Sequence, residues 1–285
     1  KRGNEIMSLW YSIIDFLFPF EWAQYDFMKN ALIAVLLVTP LFGILGTMVV
    51  NNKMAFFADS LGHGAFTGIA IGILVGGISP TWGATIFSIF FAIAITLIKN
   101  KGNSSTDTII GVFSSIAIAL GLVLMSLGGN MNKFSSYLVG DLLSISPKEI
   151  LMLVVLFVVI LLIWSFIFNK LLLVSINSSL AKSRGTNNLL IELLFTITIA
   201  VVVTITVNWV GLLIINSLLV LPAAAARNVS KNIRQYHLIS ILISISSGII
   251  GLVLSYYLNT VTGATIVLIS AVMFFITLGY KQKFV

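Results

Sequence analysis

The chain has 285 residues, 59% hydrophobic and 9% charged, with a formal net charge of +7 and no cysteine. Its mean hydropathy is +1.11. A soluble domain carries roughly 25% charged residues, so this chain cannot cover a water-facing surface, and without thiols it forms no disulfide and no cysteine-ligated metal site. The composition reads as an all-α, polytopic transmembrane helix bundle in a lipid bilayer. The excess of basic residues is assigned to loops on one side of that bilayer, not to nucleic-acid binding.

Along the chain, residues 1–6 read as a polar appendage before Met7, and no cleavable signal peptide is evident. Residues 6–28 mix Trp10, Tyr11, Phe16, Trp22 and Tyr25 with Asp15, Glu21 and Asp26. Aromatic groups broken by polar ones suit the headgroup boundary. Residues 1–28 are therefore read as an N-terminal interfacial segment, and 29–285 as a single transmembrane domain.

Apolar runs follow at 30–50, 54–77, 80–98, 107–128, 148–168, 188–207, 209–226, 237–258 and 263–280. A spanning helix needs about 20 apolar residues, so about nine spans are predicted. Only Asn208 and Trp209 separate the sixth and seventh runs, which leaves eight as the alternative. Alternate loops hold Lys53, Lys99, Lys101, Lys170, Lys182, Arg184, Arg227, Lys231, Arg234, Lys281 and Lys283, 11 of the 16 basic residues. That set belongs in the cytoplasm, which puts the amino terminus outside and the carboxyl terminus inside. Residues 222–236 (PAAAARNVSKNIRQY) are predicted to form a basic helix with Pro222 in its first turn. It is either a solvated connector or a docking helix for a cytoplasmic partner.

Ionisable groups inside spans are costly in lipid and usually functional. Asp59 and His63 lie in the second run, four residues apart, so they share one helix face. Carboxylate and imidazole together suit a divalent transition metal. Two ligands hold a metal weakly, and a second chain would supply two more. A plain hydrogen bond or a proton relay is the competing reading. Gly64, Gly68, Gly72 and Gly76 recur every four residues beside the pair and give a smooth stripe for close helix packing. Asp107 reads as part of a helix N-terminus, Glu192 as a carboxylate that either snorkels or meets a basic partner, His237 as interfacial, and Asp141 as a polar turn in an outer loop or a contact for an external partner. No GxxxxGK[ST], HExxH or GxSxG motif occurs, so the chain is not expected to be an enzyme.

Four segments carry a family resemblance: NNKMAFFADSLGHGAFTGIAIG (51–72), STDTIIGVFSS (105–115), SSYLVGDLLSIS (135–146) and WVGLLIINSLLVLPAAAARNVSK (209–231). In this order and spacing they resemble the permeases of metal-ion ABC transporters serving zinc, manganese and iron. The resemblance implies a homodimeric importer subunit in the bacterial plasma membrane, with a cytoplasmic ABC ATPase hydrolysing ATP on a separate chain. It also implies an extracellular metal-binding protein that delivers the ion, and no permanently bound cofactor. Zinc or manganese is the expected cargo.

By the same resemblance Asp59 and His63 line the metal path. The ATPase-docking region falls on Leu218, Pro222, Ala223, Ala226, Arg227, Lys231 and Arg234. The family commonly has Ser before this histidine and Pro four residues after it, where this chain has Gly62 and Thr67. Imidazole must be neutral to ligate, so uptake is expected to weaken on acidification. The alternative function is a stand-alone, proton-coupled secondary transporter.

Overall fold

The computed structural model of the chain describes residues 10–12, 14–16, 20–76, 79–102, 104–128 and 138–284, with backbone alone for 213 and 282–284. The polar start 1–6, Lys133 and the first three residues of the 135–146 segment lie outside the described residues. The described chain is helical, with no strand. Its helices are α1 (Asp26–Asn51), α2 (Phe57–Val75), α3 (Pro80–Lys101), α4 (Thr106–Gly128), α5 (Pro147–Ile176), α6 (Ser178–Ser183), α7 (Asn188–Val210), α8 (Leu212–Val229), α9 (Ile233–Leu258) and α10 (Thr262–Phe284).

Eight of these are long and apolar enough to cross a membrane: α1 to α5, α7, α9 and α10. The apolar run at 209–226 becomes the shorter helix α8, entered through Gly211 at φ 90°. That backbone conformation is open to glycine at little cost. The carbonyl of Val139 presses against Gly211 so closely that a methyl could not be placed there.

Local signals account for the helix ends. Ser146 and Glu149 form a reciprocal capping box ahead of α5, with Pro147 in its first turn. Asn177, Asn187 and Asn232 each accept a backbone N–H at the start of α6, α7 and α9. Ser79 does the same for α3.

Apolar side chains gain nothing by leaving lipid for protein, so helices in a bilayer associate through close packing and interhelical hydrogen bonds. Both are seen around α1, the most enclosed span, with 78% of its apolar window buried. A methyl on Gly43 would come within 2.9 Å of the Ile241 backbone, and one on Gly248 would meet Val35 and Thr39. Ser240 donates to the Gly43 carbonyl and Ser244 to the Thr39 carbonyl, both at 2.7 Å. These pairings run α9 antiparallel to α1. Nearly one turn further along α1, Gly46 fits against the Leu219 carbonyl of α8. The periphery is lipid-like: Val112, Ile116, Val123 and Leu127 on α4, and Leu151, Val155 and Phe166 on α5, are all exposed.

Two expectations are corrected. Pro222 stands inside α8, not in a first helical turn. Helix is established ten residues earlier, at Leu212, and the missing N–H leaves only the Leu218 carbonyl without its usual donor. Residues 222–236 are not one helix either: α8 ends at Val229, Ser230 is extended, and Asn232 caps α9.

Candidate functional site

The chain leaves α1 through a tight reversal at 52–56, where Lys53 takes φ 55°, and re-enters as α2. Asp59 falls in the first turn of α2, where the helix dipole favours a carboxylate. His63 is one turn further on. Its Nε2 lies 3.5 Å from Asp59 Oδ2, with the two side chains 32% and 42% exposed. The pair is thus half-open at the surface of a membrane-crossing helix. Phe56 and Phe66 continue this partly exposed face on either side of it.

The opposite face of α2 holds it in place. Gly68 lies against the backbone of Gly83 and Ala84 in α3, and Gly64 faces the Phe91 ring. A methyl on Gly83 would come 3.2 Å from the Gly72 Cα. Gly76 is a correction: it is the residue that ends α2, at φ 70°, and among the described residues nothing lies within 4 Å of a methyl placed there. The four-residue glycine period runs straight through the helix end, because glycine suits both a packing stripe and a C-terminal reversal. Thr67, at the position where the resemblance sets a proline, donates to the Ala117 carbonyl at 2.6 Å and ties α2 to α4. Gly62 faces α8, where a methyl would come 3.4 Å from the Leu212 side chain.

The remaining candidates are separate from this pair. Glu192 accepts from Asn100 at 2.8 Å and pairs with Lys99 at 3.5 Å, joining α7 to the end of α3. It is a structural tie. Glu192→Leu would leave a mostly buried lysine without its partner, expected to cost about 1–3 kcal/mol. Thermal unfolding should show that loss, while metal titration stays as in the native chain. His237 bonds the Thr47 hydroxyl at 2.9 Å and the Ile233 carbonyl at 3.0 Å, enclosed by Trp164 and Phe168. Asp141 accepts the Leu143 N–H at the head of a short 3-10 turn. Asp107 stands exposed in the first turn of α4.

Among the described residues, no three His, Asp or Glu side chains cluster closely enough to hold a metal ion. Asp59 and His63 therefore stand as a pair, with no third such side chain beside them among the described residues.

Of the residues assigned to docking, Leu218, Pro222, Ala223 and Ala226 are buried within the subunit. Ala223 and Ala226 form a small cluster with Tyr236, backed by Val50 and Ile233. Arg227, Lys231 and Arg234 are exposed around the α8–α9 junction. One polar group drew no attention in the sequence. Asn216 in α8 has a buried Oδ1 without a hydrogen-bond partner among the described residues. It is the one amide in the apolar stretch LLIINSLLVL, and that isolation was its only signal.

A multi-span helical bundle with a half-open acid–imidazole pair on one spanning helix has the form of a membrane permease. The model of the ABC 3 transport family matches residues 24–281. The chain belongs to that family, a family of metal-ion ABC importer permeases, and so is a multi-pass plasma-membrane permease and not itself an enzyme. It is 29% identical over 261 residues to the high-affinity zinc uptake system membrane protein ZnuB of Haemophilus influenzae, covering 91% of this chain and 100% of that one. It is 30% identical over 260 residues to the manganese import system permease protein ScaB of Streptococcus parasanguinis, covering 91% and 92%. The solved structure of PsaBC from Streptococcus pneumoniae, in complex with Fab, matches with a TM-score of 0.78 at 27% identity, covering 89% of this chain and 91% of that one.

Proposed function

We propose that this chain is the membrane subunit of an ATP-driven importer for zinc or manganese, and that the ion passes between two copies against Asp59 and His63. The carrying observation is the half-exposed Asp59–His63 pair on a spanning helix. Left against lipid, such a pair is costly. A second copy placed on the same face would cover it and double the ligand set to four, the number common for zinc. The near-equal identities to a zinc and a manganese permease favour neither cargo.

The transmembrane domain from residue 29 would carry the path, and an extracellular metal-binding protein would deliver the ion to its outer mouth. Exposed Arg227, Lys231 and Arg234 offer an ATPase a positively charged contact, and the buried Leu218, Pro222, Ala223 and Ala226 would transmit its movement through α8. That end of the bundle is the cytoplasmic one by its basic loops, with the amino terminus outside.

Reconstitution in liposomes tests this reading. Uptake of Zn²⁺ or Mn²⁺ is expected only with the ATPase and ATP present. Arg227→Glu/Arg234→Glu is expected to lower it about tenfold or more, since reversing charges at a contact adds repulsion as well as removing attraction. Uptake by the chain alone, driven by a proton gradient, would instead establish a secondary transporter.

A further inference from the structure

We propose that Asn216 supplies an additional oxygen ligand to the transported ion from α8 and biases the path toward manganese over zinc. This rests on the reading of Asp59 and His63 as the ion site. Helices α2 and α8 run in opposite directions, since one begins at the end of the bundle where α1 finishes and the other where α7 finishes. They touch where Gly62 faces Leu212. One turn along α8 from Leu212 is Asn216, about 6 Å further at 1.5 Å per residue. One turn back along α2 from Gly62 is Ala58. Asn216 therefore comes level with Asp59, while His63 adjoins the Gly62 contact.

The chemistry fits an ion ligand. The Asn216 Oδ1 is buried and receives no hydrogen bond from the described residues. An unmet buried acceptor costs about 1–3 kcal/mol, and coordination to a cation would meet it. The side chain as a whole is partly exposed, as are Ser217, Val220 and Ala224 on the same face of α8. That face is therefore partly open at the subunit surface. An amide oxygen is a hard, neutral donor. Oxygen donors suit manganese, whereas imidazole favours zinc, so adding one shifts the balance of the Asp59–His63 set toward manganese.

The test is calorimetric titration of the full-length chain in lipid nanodiscs with MnCl2 and, separately, ZnCl2. Native protein is compared with Asn216→Leu, Asn216→Asp and Asp59→Ala/His63→Ala. Asn216→Leu is expected to weaken Mn²⁺ binding about tenfold, the scale seen when groups around a metal are removed, and Zn²⁺ binding less. Asn216→Asp is expected to raise the Mn²⁺/Zn²⁺ affinity ratio above native. Opposite shifts in two variants cannot come from loss of folding. Equal losses for both metals in both variants would overturn the proposal in favour of a packing role. Unchanged affinities in Asn216→Leu, with binding lost in the Asp59/His63 double variant, would overturn it while leaving the ion site standing. Native binding in that double variant would overturn the ion site and this inference together.

Discussion

Exchanging Asp59 and His63 together for alanine is expected to lower metal uptake by more than about a hundredfold, beyond the 10- to 100-fold typical of supporting groups around a metal. The pair is the sole acid–imidazole contact on the open face of α2. Glu192 is engaged by Lys99 and Asn100, and His237 is enclosed by aromatic rings and bonded at both ring nitrogens. Neither can move in as a substitute ligand. The fold should tolerate the change, because both side chains are partly exposed and α2 is held by its opposite face, where Gly64 and Gly68 meet α3. Uptake in proteoliposomes, read beside a thermal unfolding curve, separates these effects. Near-native uptake at native stability would return the pair to a structural or proton-handling role.

The second large effect concerns the joint between α1 and α8. Gly46→Leu is expected to destabilise the subunit by the upper end of about 1–3 kcal/mol, the range for overpacking a well-filled interior. Even a methyl at Gly46 would run into the Leu219 carbonyl and come 3.3 Å from the Ala223 side chain. The obstacle is backbone, which cannot rotate away. Leu219 belongs to the same helix as Asn216 and Arg227, so pushing α8 outward would disturb both the proposed ion path and the contact proposed for the ATPase. Gly279→Leu is the control: no described atom lies within 4 Å of a methyl there, and its unfolding transition should match native. Equal stability of the two variants would show that α1 and α8 do not pack as described.

The spans were legible because a membrane helix must bury its backbone and coat itself with apolar side chains, and both demands are written in linear runs. The Asp59–His63 pair was legible for the same reason, as two ionisable groups one turn apart in an apolar run. Three features were not legible. Gly76 shares the period of the packing glycines, yet its φ of 70° shows that it ends α2. Pro222 has the form of a helix start, but the apolar residues before it had already nucleated α8 at Leu212. The unmet oxygen of Asn216 is a property of its neighbours, and no local pattern reports it. Glu192 lay between these cases. Its chemistry left snorkelling and a basic partner both open, and the identity of the partner as Lys99 required the packing of α7 on α3.

The central claim, that Asp59 and His63 form an ion site shared by two copies, is tested most directly by metal titration of the purified chain by calorimetry. Zn²⁺ and Mn²⁺ would each be titrated into the native chain and into Asp59→Ala/His63→Ala. Saturable binding of one ion per two chains, absent from the double variant, is the predicted result. Equal binding by both proteins would contradict it and place the ligands elsewhere in the bundle.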